Sequence, residues 1–308
     1  MHSFRHIVIG FDGQEDGHRA TRWARGVARQ SPESTLHLTH ALALPAVPMH
    51  SLMLSAEELL EAAERDIRSQ LEAVRDELTA DGFAVEVHVR RWLPADTLIE
   101  QAEALAGAFI VVGQHGGRAR RMLIGSTSGR VSREARVPVV VTRGAVRSSP
   151  PRRILVGADG SSGCRAALTA ARALFPAARL LLAGFRDRNG GLDSQALAGF
   201  AQSAAIAPAQ VELHAAEADA ASALLALAAS ADIDLLCAGR RGSGPLLDLL
   251  LGSVSEKLLQ LAPCPLLLAH WAGHRPSSGV DPCAALDWPR SPADPWFSCW
   301  FSWRCHRS

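Results

Sequence analysis

Short apolar runs alternate with longer amphipathic stretches along most of the chain. The runs HIVIG, FIVVG and PVVV are apolar at successive positions, which is typical of strands covered on both faces of a parallel sheet. Between them, apolar residues recur at helical spacing from Leu60 to Leu78, and Asp81-Gly82 then predicts the helix end. The pattern predicts strands near residues 6–11, 35–41, 84–90, 108–113 and 138–142, and helices near 16–30, 55–80, 95–106 and 125–135.

The same order of elements recurs later in the chain. HIVIGFDG matches RILVGADG, and FIVVGQHG matches DLLCAGRRG. Leucine is more frequent in the second copy, so its local β preference is weaker. The repeat nevertheless predicts an α/β fold with two doubly wound domains, each a five-stranded parallel sheet flanked by helices. The second set of strands is expected near residues 153–157, 179–185, 210–216, 233–238 and 265–269.

Domain boundaries follow from changes in composition. We expect a first domain over residues 1–144, a polar, proline-containing linker over 145–151, and a second domain over 152–270. Residues 271–308 hold five of the seven tryptophans without a sustained helix or strand period. This tail is predicted to be an irregular, disordered extension. The alternative is a Trp-rich patch that docks on a partner or a membrane surface.

Composition excludes several classes of protein. The formal net charge is +1, so the chain lacks the basic field of a typical nucleic-acid binder. No stretch reaches the roughly 18 apolar residues of a membrane helix, and the N-terminus does not look like a signal peptide. The six cysteines form no CxxC pair, which suits a reducing cytoplasm. The histidines show no ligand-spaced cluster, so no metal site is expected. His37 and His40 are expected on opposite faces of a strand.

Candidate chemistry lies where strands end. In an open parallel sheet, ligands bind outside the carboxyl ends of the strands, where strand order reverses. Loop glycines permit close backbone approach, and a helix start that carries serine offers N–H groups, a hydroxyl and a positive dipole to a phosphate. A carboxylate there can accept hydrogen bonds from ribose hydroxyls. The residues concerned are Asp12, Gly113, Gly116, Gly125 and Ser126 in the first copy, and Asp159, Gly239, Gly242, Gly252 and Ser253 in the second.

These positions indicate a nucleotide or another phosphorylated ligand, although turn chemistry alone would also explain single glycines. Other nucleotide motifs are missing. The chain has no Gly-x-x-x-x-Gly-Lys-Ser/Thr loop and no Gly-x-Gly-x-x-Gly after a first strand. The segment GSTSG has a central threonine and does not directly follow a strand, unlike a hydrolase elbow. With no arranged base or nucleophile, we do not expect an enzyme.

Residues 5–270 resemble a tandem universal stress protein. ATP-binding members of that family have a strand ending in Asp and then Gly-x2-Gly-x9-Gly-Ser/Thr, which the second copy matches in full from Gly239 to Ser253. The resemblance implies a fold like that of the adenine-nucleotide alpha hydrolases, with ATP, with or without Mg²⁺, at the strand ends. It also implies a cytoplasmic stress-response role and pairing through the last strands, between the two copies or in a homodimer. Any hydrolysis or self-phosphorylation is expected to be slow.

Carried over by residue, the resemblance assigns Asp159 to the ribose, and Gly239 and Gly242 to the neighbourhood of the phosphates. It assigns phosphate binding to Gly252, Ser253 and Val254. The equivalent roles in the first copy fall to Asp12, Gly113, Gly116, Gly125 and Ser126.

The two copies depart from the family pattern at different places. Only eight residues separate Gly116 from Gly125, one fewer than in the pattern, so we expect the second copy to bind nucleotide better. Phe185 would stack on adenine or pack in the core. Several loop arginines would be solvated or would favour an anion, namely Arg118, Arg120, Arg121, Arg240 and Arg241. Two alternatives remain open: a nucleotide-free module that binds a protein partner, and an α/β enzyme for a phosphorylated metabolite.

Overall fold

A computed structural model describes most of both copies. It covers residues 4–42, 53–114, 125–184, 199–202, 211–213, 219–240 and 251–270, with backbone only for 53–56 and 211–213. Some predictions therefore lie outside the described residues: those on the tail 271–308 and on Gly116, Gly242, Phe185, Arg118, Arg120, Arg121 and Arg241.

The strands and helices follow the predicted order. The strands are β1 His6–Gly10, β2 Thr35–Ala41, β3 Ala84–Arg90, β4 Ala108–Gly113, β5 Val139–Thr142, β6 Arg153–Ala158, β7 Arg179–Gly184, β8 Val211–Leu213, β9 Leu235–Gly239 and β10 Leu266–Ala269. The helices are α1 Glu15–Ala28, α2 Met53–Ala80, α3 Pro94–Ala104, α4 Ser126–Glu134, α5 Ser162–Leu174, α6 Ala220–Ser230 and α7 Ser253–Leu261. None of these helices is both long and apolar enough to cross a bilayer.

The strands form a single sheet in the order β3-β2-β1-β4-β5-β10-β9-β6-β7-β8. All pairs within each half are parallel. The halves join where β5 and β10 run antiparallel, with Val140 opposite Leu267. The predicted fold class of two doubly wound five-stranded sheets is therefore confirmed. The pairing through the last strands occurs here within one chain, and it covers two strand edges that would otherwise lie open.

One apolar core lies on each face of the sheet. Along β1, Ile7 and Ile9 face the side covered by α1 and α2, whereas Val8 faces the side covered by α3. This explains why the strands read as uninterrupted apolar runs. Both cores contain residues of both halves. Trp23 of α1, for example, packs edge-on against Phe175, which follows α5, with ring centroids 6.0 Å apart.

Two arginines connect the halves at the seam, which is the antiparallel junction of β5 with β10. From the end of β5, Arg143 donates hydrogen bonds to the carbonyls of Leu259 (3.1 Å) and Gln260 (2.7 Å) at the end of α7. In the opposite direction, Arg240 from the end of β9 donates to the Ala135 carbonyl at the end of α4. Each half therefore places a cation at a helix C-terminus of the other, where the helix dipole favours it.

The burial of Arg240 excludes a solvated loop arginine at this position. Arg240 is 3% exposed, and its guanidinium donates to the Ala135 carbonyl at the seam. Burial lowers the pKa of Arg143 to about 10, which leaves it charged at neutral pH. Alongside these arginines, Arg133 of α4 and Glu256 of α7 form an ion pair at 3.0 Å.

The end of α2 was predicted correctly, but its start was not. Gly82 has a φ of +90°, its N–H donates to Thr79, and the Phe83 N–H donates to Leu78. This is the left-handed helix stop that glycine favours. The helix begins at Met53, earlier than the predicted residue 55.

Candidate functional site

Each half of the sheet contains a topological switch point. The chain passes from β1 to β2 and β3 on one side, and then to β4 and β5 on the other. The crevice therefore lies at the carboxyl ends of β1 and β4 in the first half, and of β6 and β9 in the second. Asp12 and Gly113 lie at the first switch point, and Asp159 and Gly239 lie at the second.

The two aspartates organise helix starts. Oδ1 of Asp12 accepts hydrogen bonds from the backbone N–H of Gln14 (2.9 Å) and Gly17 (3.1 Å). Oδ1 of Asp159 accepts one from Ser161 (2.9 Å). The glycine that follows each aspartate has a φ of +73°, a conformation that side chains disfavour. The Asp-Gly pairs thus build the turn into α1 and α5, and any contact with a ligand would be an additional role.

The glycines at the ends of β4 and β9 allow helix and strand backbones to touch. A Cβ atom on Gly239 would lie 2.3 Å from the carbonyl carbon of Gly163 in α5. A Cβ atom on Gly113 would lie 2.4 Å from the carbonyl oxygen of Asp16 in α1. Both glycines are therefore required for packing, and their predicted approach to phosphate stays a prediction.

The helices that follow these strands start at the glycine-serine pairs. Gly125 and Gly252 are the N-caps of α4 and α7, with φ values of −60° and −66°. The first three N–H groups of each helix have no partner within the helix, because the i→i−4 ladder begins only at the fourth. Ser126 and Ser253 are exposed at these starts. Both helices consequently present N–H donors and a positive dipole end to an anion.

A hydroxyl fixes the start of α7 to the switch point. Ser255 donates from Oγ to the carbonyl oxygen of Gly239 at 2.6 Å, and the Gly252 N–H donates to the Arg240 carbonyl at 2.9 Å. Val254, the remaining predicted phosphate-binding residue, is half-buried in the same turn. In the second half, the predicted Asp159, Gly239, Gly252, Ser253 and Val254 therefore all belong to elements that meet at this edge.

The comparison with known proteins identifies the family. The model of the universal stress protein family matches residues 3–143 and 186–270. The chain belongs to the universal stress protein family. A universal stress protein of Mycolicibacterium smegmatis is 31% identical over 163 residues, which are 50% of this chain and 54% of that protein. Universal stress protein G of Escherichia coli O157:H7 is 27% identical over 126 residues, 41% of this chain and 87% of that one.

Solved structures agree with the fold. A universal stress protein from Archaeoglobus fulgidus DSM 4304 superposes with a TM-score of 0.69 at 19% identity, covering 88% of this chain and 98% of that one. Since the superposition spans nearly all of that chain, the paired arrangement of two α/β halves is shared with another universal stress protein. The chain spans about half the length of the Mycolicibacterium relative.

The cysteines of this universal stress protein that the structure describes are packed thiols. Cys164 lies in the first turn of α5, where a helix dipole would favour a thiolate. Burial nevertheless raises the pKa of Cys164 to about 12. Cys237 and Cys264 are buried as well, and burial raises both of their pKa values. Cys164 and Cys237 therefore pack as small apolar core residues.

The structure also brings together side chains that the sequence analysis treated as separate. His6, His37 and His88 were expected to form no cluster, but they lie side by side on adjacent strands, together with Glu86. They are far apart in sequence, so only the register of β1, β2 and β3 could have shown the cluster. His40 makes a separate contact, with the Phe11 carbonyl, as expected for the opposite face of β2.

Proposed function

We propose that this universal stress protein binds ATP, with or without Mg²⁺, at the second switch point and acts as a cytoplasmic regulator of the stress response. The strongest support is the coincidence of sequence and geometry at α7. The pattern from Gly239 to Ser253 is complete, and the first turn of α7 starts beside the end of β9. A helix start of this kind binds phosphate through backbone N–H groups and the helix dipole.

The described residues of the second half fit the parts of a nucleotide. The N–H groups of Ser253 and Val254, with the exposed Ser253 hydroxyl, would hold phosphate oxygens. Asp159 would accept a hydrogen bond from a ribose hydroxyl while its Oδ1 continues to accept one from the Ser161 N–H. Because Gly239 has no side chain, α5 packs directly against the end of β9, and the crevice at this strand end would stay narrow.

The first half is proposed to bind ATP more weakly. Asp12, Gly113, Gly125 and Ser126 occupy positions equivalent to those in the second half. The loop between β4 and α4 is one residue shorter ahead of Gly125 than the family pattern requires. A displacement of about 1 Å in a positioned site can cost about a hundredfold in function. The role proposed for both halves is binding, with any hydrolysis slow and secondary.

Two measurements test the proposal. Mass spectrometry of the gently purified, full-length protein should detect a co-purified adenine nucleotide. Calorimetric titration of nucleotide-free protein with ATP, with and without Mg²⁺, should then show one tighter site. Titration with GTP is the matched control for recognition of the base. If no adenine nucleotide co-purifies and the calorimeter detects no ATP binding, the proposal is wrong for this protein.

A further inference from the structure

Three neighbouring strands at one end of the sheet carry a row of polar side chains on the same face. His6 on β1 lies beside His37 on β2, with His6 Nδ1 and His37 Nε2 3.0 Å apart. On β3, Glu86 stands directly opposite His37 in the register, and His88 follows on the same face. The other face of β3 carries Val85, Val87 and Val89, which pack against the apolar core. On β3, the row therefore lies on a polar face whose opposite face is apolar.

Three donor atoms in this row form a nearly equilateral triangle. His37 Nδ1 lies 3.2 Å from His88 Nε2 and 3.3 Å from Glu86 Oε2, and His88 Nε2 lies 3.3 Å from the same oxygen. In a tetrahedral zinc site, metal–ligand distances of about 2.0–2.1 Å place neighbouring ligand atoms about 3.3 Å apart. The triangle therefore has the dimensions of one face of a zinc tetrahedron.

The contact between His6 and His37 also gives His37 the tautomer that a metal requires. An imidazole binds a metal through an unprotonated nitrogen. When His37 donates its Nε2–H to Nδ1 of His6, its Nδ1 carries the lone pair that faces Glu86 and His88. A hydrogen bond from the second ring nitrogen is the usual support of a metal-bound histidine.

Access to the triangle follows a gradient of burial. The His37 side chain is 3% exposed, that of His88 is 25% exposed and that of Glu86 is 57% exposed. An ion can reach the triangle from the Glu86 side, and water can occupy its fourth position. The buried histidine fixes one vertex, whereas the exposed carboxylate supplies negative charge.

We propose that His37, Glu86 and His88 bind one divalent transition-metal ion, with Zn²⁺ as the expected ion, and that His6 orients His37. Two imidazoles and one carboxylate favour zinc over Mg²⁺ or Ca²⁺, which prefer oxygen ligands alone. The site lies in the middle of β2 and β3, away from the strand ends of the switch point, and does not depend on the proposed ATP binding. A bound ion would connect β2 to β3 and stabilise the first half.

The direct test is a zinc titration of the metal-stripped full chain against a chromophoric chelator. We expect Glu86→Gln and His88→Gln each to weaken zinc binding at this site by at least about 10-fold, since even second-shell partners contribute that much. His40→Gln is the matched control, because His40 lies on the same strand and contacts Phe11 instead. Its affinity should equal that of the unmodified protein.

Glu86 is exposed, so its variant should fold, which circular dichroism will verify. Equal affinities for the unmodified protein and the Glu86 and His88 variants would overturn the proposal. At the same zinc concentration, the midpoint of thermal unfolding should rise more in the unmodified protein than in Glu86→Gln. Equal zinc-induced shifts in the two proteins would contradict the assigned ligands.

Cobalt spectroscopy separates this site from the cysteines elsewhere in the chain. Co²⁺ held by two imidazoles and a carboxylate gives ligand-field bands without thiolate-to-metal charge transfer. We expect that spectrum in the unmodified protein and its loss in His88→Gln. A spectrum dominated by thiolate charge transfer would place the metal on cysteines and overturn the proposal.

Discussion

The two halves of the sheet share a register but differ on the strand next to each outer edge, β2 in the first half and β7 in the second. Val8 pairs with His37 in the first half, and the equivalent Leu155 pairs with Leu181 in the second. The same position is thus a buried imidazole in one half and a buried leucine in the other. The sheet tolerates this exchange because its backbone hydrogen bonds do not depend on the side chain. Chemistry can therefore diverge between the copies while the fold stays the same.

The strand-end glycines are the feature in which the halves agree most closely, and breaking them should have the largest effect. Gly239→Ala and Gly113→Ala each force a Cβ atom into helix backbone. We expect each to lower the free energy of unfolding by about 3 kcal/mol in urea denaturation. At Gly199 a Cβ atom would meet nothing within 4 Å, so Gly199→Ala should not destabilise the protein. Variants at Gly239 and Gly113 that match this control would refute the packing role.

The helix starts sharpen the comparison of the two proposed nucleotide sites. We expect Gly252→Val to raise the dissociation constant for ATP about 100-fold, because its branched side chain displaces phosphate from the N–H groups. Gly125→Val should have a smaller effect. The backbone φ is ordinary at both positions, so valine is not strained there. Calorimetry measures the affinities and thermal unfolding verifies the fold. Equal losses would contradict the ranking of the two halves.

The seam arginines test whether the halves stabilise one another. Arg143→Met keeps most of the side-chain volume but removes the hydrogen bonds to the end of α7. We expect a loss of about 2 kcal/mol in the free energy of unfolding, since the lost hydrogen bonds involve a charged donor. Arg240→Met should cost a similar amount at the end of α4. Arg147→Met, at an exposed side chain, should cost less than about 0.5 kcal/mol.

Acid should lower the stability of the protein through the buried His37 imidazole, whose equivalent in the second half is a leucine. His37 faces Glu86, His88 and His6, and burial lowers its pKa to about 4 from the usual 6.5. Because the pKa of His37 is lower in the folded than in the unfolded protein, the unfolded state binds the proton first as the pH falls. The free energy of unfolding is therefore fully retained above pH 6.5 and decreases as the pH falls toward 4. With chelator present, we expect this loss to be on the order of 2 kcal/mol. His37→Leu should remove it, and urea denaturation at several pH values compares the two proteins. An unchanged pH profile would contradict the prediction.

The smallest expected effect concerns how each half starts an equivalent helix. Asp219 caps α6 by accepting the Ser222 N–H at 3.0 Å, and it also contacts Lys257 of α7. Helix α3 instead begins with Pro94, which needs no N–H partner. Asp219→Ala should cost about 1 kcal/mol in thermal or urea unfolding. Ser230→Ala, at the exposed end of the same helix, should cost less, and an equal cost would argue against the cap.

Most of the strands and helices could be predicted from the sequence, because their signals are local and occur in both copies. Apolar runs located β1, β4 and β5 to within a residue, since strands covered on both faces have no polar positions to obscure them. Helix α2 begins at Met53, two residues before the predicted start, because helix boundaries are set less sharply by sequence than helix interiors. The Asp-Gly turns were also legible, because their geometry depends on adjacent residues alone.

Contacts between distant segments could not be predicted in the same way. His37 and His88 meet only because β2 and β3 align in one particular register, in which a shift of one residue would turn every side chain to the other face. The partner of Arg240 lies in the other half of the chain, so nothing near it in sequence indicates a buried hydrogen bond. The ranking of the two proposed nucleotide sites rests on loop length, because both helices begin at a glycine N-cap with an ordinary φ.

The antiparallel contact of β5 with β10 has a consequence for communication between the halves. Because all strands within a half are parallel, the carboxyl ends of the first half point one way and those of the second half point the other. The two switch points therefore open at opposite margins of the continuous sheet. Ligands bound at the two switch points would lie at opposite strand ends. Coupling between the two crevices would then pass through the strands and the arginine-capped helix ends that connect them.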